Sequence, residues 1–238
     1  MLFGIEIETV GKTRNEIAQK ILKGNRINYV KVKCEKEPEV EYDIVLIGNH
    51  TFWKIEDDTS LRYYPREERG EVVSPILDET EIDILKNVVS TMKEIGVKTS
   101  KKCGVHVHIN AKEATIENMC NLINIMIQEE EKLIEIFQCN KERINKYAKK
   151  LNQDFIDAFR KNIPVTKEDL SKLWYSDNSS RKSKDDRYHP SRYRGLNLHS
   201  YFFRKSVEFR YFDSSIEPDK IVNYVNYCIN IAKKAGIK

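Results

Sequence analysis

Four separated stretches of this chain alternate between apolar and polar side chains, residue by residue, and that pattern limits what the chain can become. In FGIEIETV, residues 3–10, Phe3, Ile5 and Ile7 take one side and Glu6 and Glu8 the other. In CGVHVHIN, Val105, Val107 and Ile109 alternate with His106, His108 and Asn110. In SVEFRYF, Val207, Phe209 and Tyr211 alternate with Glu208 and Arg210, and in GLNLHSY, Leu196 and Leu198 alternate with Asn197 and His199. Glu71 opens a shorter run, RGEVVSP. A period of two is that of a β-strand, in which every other side chain shares a face. Strands are ordinarily poor in Glu, and like charges on one face repel. A sheet built from these strands has one face for a core and a second that must carry acids and imidazoles for a reason.

The expected strands are 2–8, 27–33, 43–48, 51–56, 71–74, 105–110, 195–203 and 206–212, with 195–212 forming a hairpin about Arg204 and Lys205. Helices are expected over 12–23, 78–96, 113–137 and 141–161, from Thr166, whose pairing with Asp169 resembles a capping box, and from Pro218 to Gly236. Strands come in clusters rather than in strict alternation with helices. The fold class is therefore α+β with a mainly antiparallel sheet, its apolar face packed on amphipathic helices.

The 238 residues suit one large domain or two small ones, and 40% hydrophobic content is enough for a core. No apolar run approaches the ~20 residues that cross a bilayer. The N-terminus is acidic within six residues and lacks the basic start of a secretory signal. The five cysteines are widely spaced with no C-x-x-C pair, so neither a thiolate zinc site nor a disulfide framework is indicated. The cytoplasm is the expected compartment. Net charge is +4, and 181–194 alone holds six Arg or Lys against two Asp. With the rest balanced, the chain is not a uniformly basic nucleic-acid binder.

Glu6, Glu8, Glu71, His106, His108, Glu208 and Arg210 would collect on the polar face of one sheet. Clustered carboxylates on partly buried strands raise their own pKa values or destabilise the fold. A divalent cation removes that problem, and carboxylate oxygens with some imidazole suit Mg²⁺ or Mn²⁺. The residues reach a divalent-metal site on an acidic sheet. They do not choose the reaction.

The ordered motifs FGIEIE, WKIEDDTSL, GEVVSPIL, CGVHVHI, LNL and VEFRYFDSS, spanning residues 3–215, resemble the putative amidoligase family, carboxylate–amine ligases related to glutamine synthetase and glutamate–cysteine ligase. The resemblance implies a curved antiparallel sheet in a single catalytic domain over 1–238. Its concave polar face holds ATP and Mg²⁺. A helical segment near 138–175 and a mobile basic loop near 176–194 lie at the periphery. It implies phosphorylation of a small-molecule or peptide carboxylate by ATP, then amide formation as an amine displaces phosphate. On the family's pattern Glu6, Glu8, Glu71, His106 and Glu208 face metal. Glu8, Glu208, Arg210 and His106 serve catalysis. Arg210, Arg194 and His108 meet ATP phosphates. Asp58, Ser60, Ser74 and Asn197 meet substrate. The family's Asp-Gly-Ser turn reads Asp58-Thr59-Ser60 here, without its glycine.

The basic segment then reads as a lid that orders on ATP or an anionic substrate, with Arg192 and Arg194 reaching into the active cleft. Two rival readings stand beside the ligase. One is a metal-dependent hydrolase using His106, His108 and the glutamates. The other is an anion or nucleic-acid binder using 181–194 with Tyr188, Tyr193 and Tyr201.

Overall fold

The computed structural model describes residues 1–25, 29–33, 41–47, 51–176 and 185–238, with side chains over 22–52 left aside. Residues 27, 28 and 48 of two expected strands, Cys34, and residues 177–184 of the basic segment lie outside the described residues. The chain divides into two compact units, one of Leu2–Val107 with Asp213–Val225, the other chiefly of His108–Phe212 with Asn226–Lys238.

The first unit is a sheet with two whole helices and the start of the C-terminal one. Its strands are β1 (Leu2–Val10), β2 (Tyr29–Lys33), β3 (Glu41–Ile47), β4 (Thr51–Glu56), β5 (Arg69–Val73), β6 (Leu77–Asp78) and the start of β7 (Gly104–Asn110). They run in the order β2-β3-β4-β5-β1-β7, with β6 also on β1. The registers between β2 and β5, and those β1 makes with β5 and β6, are antiparallel. The alternation read from the sequence is obeyed: Phe3, Ile5 and Ile7 are buried, as are Trp53, Ile55, Val72, Val105 and Val107. Helix α1 (Arg14–Asn25) packs on β2, β3 and β4 and on α2 (Ile82–Glu94). Ahead of α2, Asp78 and Glu81 form a reciprocal capping box over a short 3-10 turn, and Gly96 at φ 77° closes the helix.

The second unit holds the end of β7, β8 (Leu196–Asn197) and β9 (Ser206–Asp213), ordered β7-β9-β8. Around them lie α3 (Ile116–Ile136), α4 (Lys141–Lys146), α5 (Gln153–Lys161), α6 (Lys167–Trp174), α7 (His199–Arg204) and the end of α8 (Pro218–Lys234). From Val207 to Phe212 every residue of β9 is buried, polar ones included. The polar face of this strand is therefore enclosed.

Two expectations are corrected. The hairpin over 195–212 is two residues of β8 paired antiparallel to β9, joined by a helix: Asn197 Oδ1 accepts the His199 N–H at 2.9 Å and so turns the chain out of the strand. Lys205, at φ 62°, closes α7 before β9 begins. The helix expected over 141–161 is two helices, because Asn152 Oδ1 accepts the Phe155 N–H and starts α5 afresh. The intervening Lys149 pairs its backbone with Tyr193 and Gly195 instead. The expected starts at Thr166 and Pro218 are found, the first as a full capping box. Cys103, Cys120, Cys139 and Cys228 are all buried.

Candidate active site

In the first unit the antiparallel register sets Glu8 opposite Glu71 and Glu71 opposite Glu56, a row of carboxylates across β1, β5 and β4. Directly opposed side chains stand about 5 Å apart at Cβ, where like charges destabilise a sheet. Glu6 lies two residues along β1 on the same face. His106 faces these acids from β7 and is 4% exposed. Its Nδ1 lies 3.0 Å from Glu6 Oε2 and 4.0 Å from Glu71 Oε1, and its Nε2 lies 3.5 Å from Glu8 Oε1. Glu6, Glu71 and His106 each offer one ligand atom, all within 4.8 Å of one another. Burial, and then the neighbouring Glu6, Asp58, Glu8 and Glu56, hold the Glu71 carboxyl well above its ordinary range.

The frame around these acids is rigid. Glu8 Oε2 accepts the Gly104 N–H at 2.6 Å, and the Glu8 carbonyl accepts the Ser214 hydroxyl at 2.6 Å. Ser74 accepts the Ile5 N–H and donates to the Pro75 carbonyl, so its hydroxyl ties the chain after β5 to the middle of β1. Asp58 accepts from the amide and the hydroxyl of Ser60, capping a 3-10 turn. Thr59 is not among the residues with positive φ, so this turn forms without the family's glycine. Asp57 beside it receives two hydrogen bonds from Arg69 and lies near Arg14 and Arg66, which anchors the turn.

The second unit carries a different arrangement. Asn197 stands opposite Glu208, and its amide donates to Glu208 Oε2 at 2.6 Å. Arg210 forms an ion pair with Glu208 Oε1, and His108 Nε2 lies 3.8 Å from the same oxygen. His108 Nδ1 meets the Ser206 hydroxyl at 3.3 Å, which meets that of Ser200 at 2.9 Å. Asn197, Glu208 and Arg210 are all buried. Gly195 is required here by close approach: a Cβ would lie 2.0 Å from a ring carbon of Tyr211. The Gly195 carbonyl accepts the Arg210 N–H.

Arg194 lies against an aromatic pair. Its guanidinium lies over the rings of Phe155 and Trp174, at 5.4 and 4.8 Å from their centroids, and Tyr193 and Gly195 on either side bond to Lys149. Arg192 lies over Tyr188 and Tyr193.

Two acids escaped the sequence reading. Glu56 belongs to the carboxylate row, and its signal was present: Trp53 and Ile55 alternate with Lys54 and Glu56, the design of the other strands. Glu130 sits within the apolar stripe of α3, four residues after Met126 and three before Leu133, and is 6% exposed. It accepts from the Tyr211 hydroxyl at 2.7 Å and from the Leu151 N–H. Burial pushes its carboxyl up to about 7.

The donor set of the first unit, carboxylate oxygens with one imidazole, fits a hard divalent cation and lacks the thiolates that favour zinc in structural sites. No described helix is long and apolar enough to cross a membrane. A family model described as "putative amidoligase enzyme" matches residues 1–232. No curated protein and no solved structure matches the chain.

Proposed function

Because the chain belongs to the putative amidoligase family, we propose that it is an ATP- and Mg²⁺-dependent ligase that joins a small-molecule or peptide carboxylate to an amine. The carboxylate oxygen takes the γ-phosphoryl group of ATP and ADP leaves. The amine nitrogen then attacks the acyl carbon, and phosphate departs with the acyl-oxygen electrons. What supports this reading is the row Glu8–Glu71–Glu56 with Glu6 and His106 beside it, an arrangement whose repulsion a divalent cation would relieve. Glu6, Glu71 and His106 would hold the cation, and Mg²⁺ or Mn²⁺ would supply charge neutralisation on the transferring phosphoryl oxygens. Glu8, locked by Gly104 and Ser214, keeps the row in place. In the second unit Asn197 and His108 orient Glu208, with which Arg210 pairs. Cys103, Cys120 and Cys228, buried and outside any disulfide, suit the cytoplasm.

The test combines turnover with metal binding. Phosphate release from ATP should require Mg²⁺ and a carboxylate and amine together, and Glu71→Gln should lower it on the order of a thousandfold, about 4 kcal/mol of barrier. Independently of turnover, Mn²⁺ binding followed by electron paramagnetic resonance should weaken at least about tenfold in Glu6→Gln. Full activity in Glu71→Gln would remove the reading. Turnover of substrate with ATP absent would put the metal-dependent hydrolase in its place.

A further inference from the structure

Helices α6 and α7 border a cavity of about 520 Å³, lined by Lys167, Ser171, Lys172 and Tyr175 on one side and by Phe202 and Phe203 on the other. That volume lies within the range of sites for small organic ligands. Its aromatic side chains are held by ring contacts. The Tyr175 and Phe202 ring centroids are 5.6 Å apart, and Phe203 stacks on His199 at 5.8 Å.

Lys167 in this lining has a second cation, Lys205, beside it. The Lys167 ammonium lies 4.6 Å from the centroid of Tyr201, and the positive charge of Lys205 lies close enough to repel it. Two ammonium groups have donors only, so neither can satisfy the other. Burial and Lys205 together push Lys167 down to about 8. Lys205 is held there deliberately by the fold. Its backbone is left-handed at φ 62°, a conformation costly for a residue with a Cβ, and is tied through its N–H to Tyr201 and through its carbonyl to Ala111. An anion placed between the two ammoniums would replace their repulsion with two charge-assisted hydrogen bonds. Glu168 and Asp185 also border the cavity, both exposed. They disfavour a ligand of high negative charge, which selects a carboxylate over a polyphosphate.

We propose that this cavity binds a small carboxylate with an aromatic or branched apolar body, the carboxylate held by Lys167 and Lys205 and the body by Tyr175, Phe202 and Phe203. The site goes beyond the ligase reading and does not depend on it. It is nevertheless wired to a polar cluster already described. The Tyr175 hydroxyl bonds His199 Nδ1 at 2.6 Å, the His199 N–H bonds Asn197, and Asn197 bonds Glu208.

Phenylacetate is a suitable probe, with 2-phenylethanol as the uncharged body and inorganic phosphate as the bare anion. Amide NMR titration of the full chain should give saturable shifts at Tyr175, Phe202 and Phe203 with a Kd on the order of 1 mM. Both controls should bind at least about tenfold more weakly. Lys205→Gly suits the left-handed backbone, so it should match or exceed the parent in Tm while raising the Kd roughly tenfold, as should Lys167→Gln. Unchanged binding in both variants overturns the proposal. So does equal binding of either control, or the lack of a saturable shift up to about 20 mM phenylacetate.

Discussion

The carboxylates around His106 and the carboxylate of Glu208 sit on strands of the same design, yet they are handled in opposite ways. In the first unit Glu8, Glu71 and Glu56 oppose one another across three strands, and Glu6 joins them at a single imidazole. In the second unit Glu208 receives an arginine, an amide and an imidazole. One cluster gathers negative charge and the other balances it within itself. A cluster that gathers charge is suited to receive a cation. A balanced one is suited to hold a side chain still.

That difference can be broken by substitution, because removing charge should act with opposite sign in the two places. Glu208→Gln leaves the buried Arg210 without its carboxylate and should destabilise the protein by about 3–5 kcal/mol, read by urea unfolding. Little change would mean that the second cluster is not balanced as described. Glu130 sharpens the comparison as a third case, an acid satisfied by neutral donors alone. Its carboxyl is raised, so its contribution to stability is full below about 4.5, declines as pH climbs toward about 7, and then stays lost. The span is roughly 3 kcal/mol at about 1.4 kcal/mol per pH unit. Glu130→Gln should flatten the stability profile between pH 5 and 8, and an unaltered slope would assign the titration elsewhere. The smallest effect belongs to Glu71→Gln in metal-free protein, which should gain about 1 kcal/mol by relieving cross-strand repulsion. A loss of stability there would contradict the charge imbalance of the first cluster.

Much of this was readable beforehand, for local reasons. Alternation named β1, β7 and β9 and told which of their side chains face the core, because a strand's two faces follow from chain geometry alone. Glu6, Glu8, Glu71, His106 and Glu208 were marked by being polar where such strands are costly. The failures are as instructive. Leu196–Tyr201 alternates as a strand should, but Asn197 captures the His199 amide and a helix follows. Ile144, Leu151, Phe155 and Phe159 keep a helical rhythm across a break that Asn152 makes by capping what comes after it. In both places a side-chain hydrogen bond to the backbone, within a few residues, outcompeted periodicity.

The amino-acid order by itself determined the faces: which side chains leave each strand together, and that one of those faces would be acidic. Only the tertiary structure decided which acids meet. Register between strands far apart in the chain aligned Glu56 with Glu71 and Glu8, and seated Glu130 against Tyr211. Period-two spacing sets direction within a strand, whereas partnership between strands is set by the packing of the whole sheet and its helices, and that is a property of no single segment.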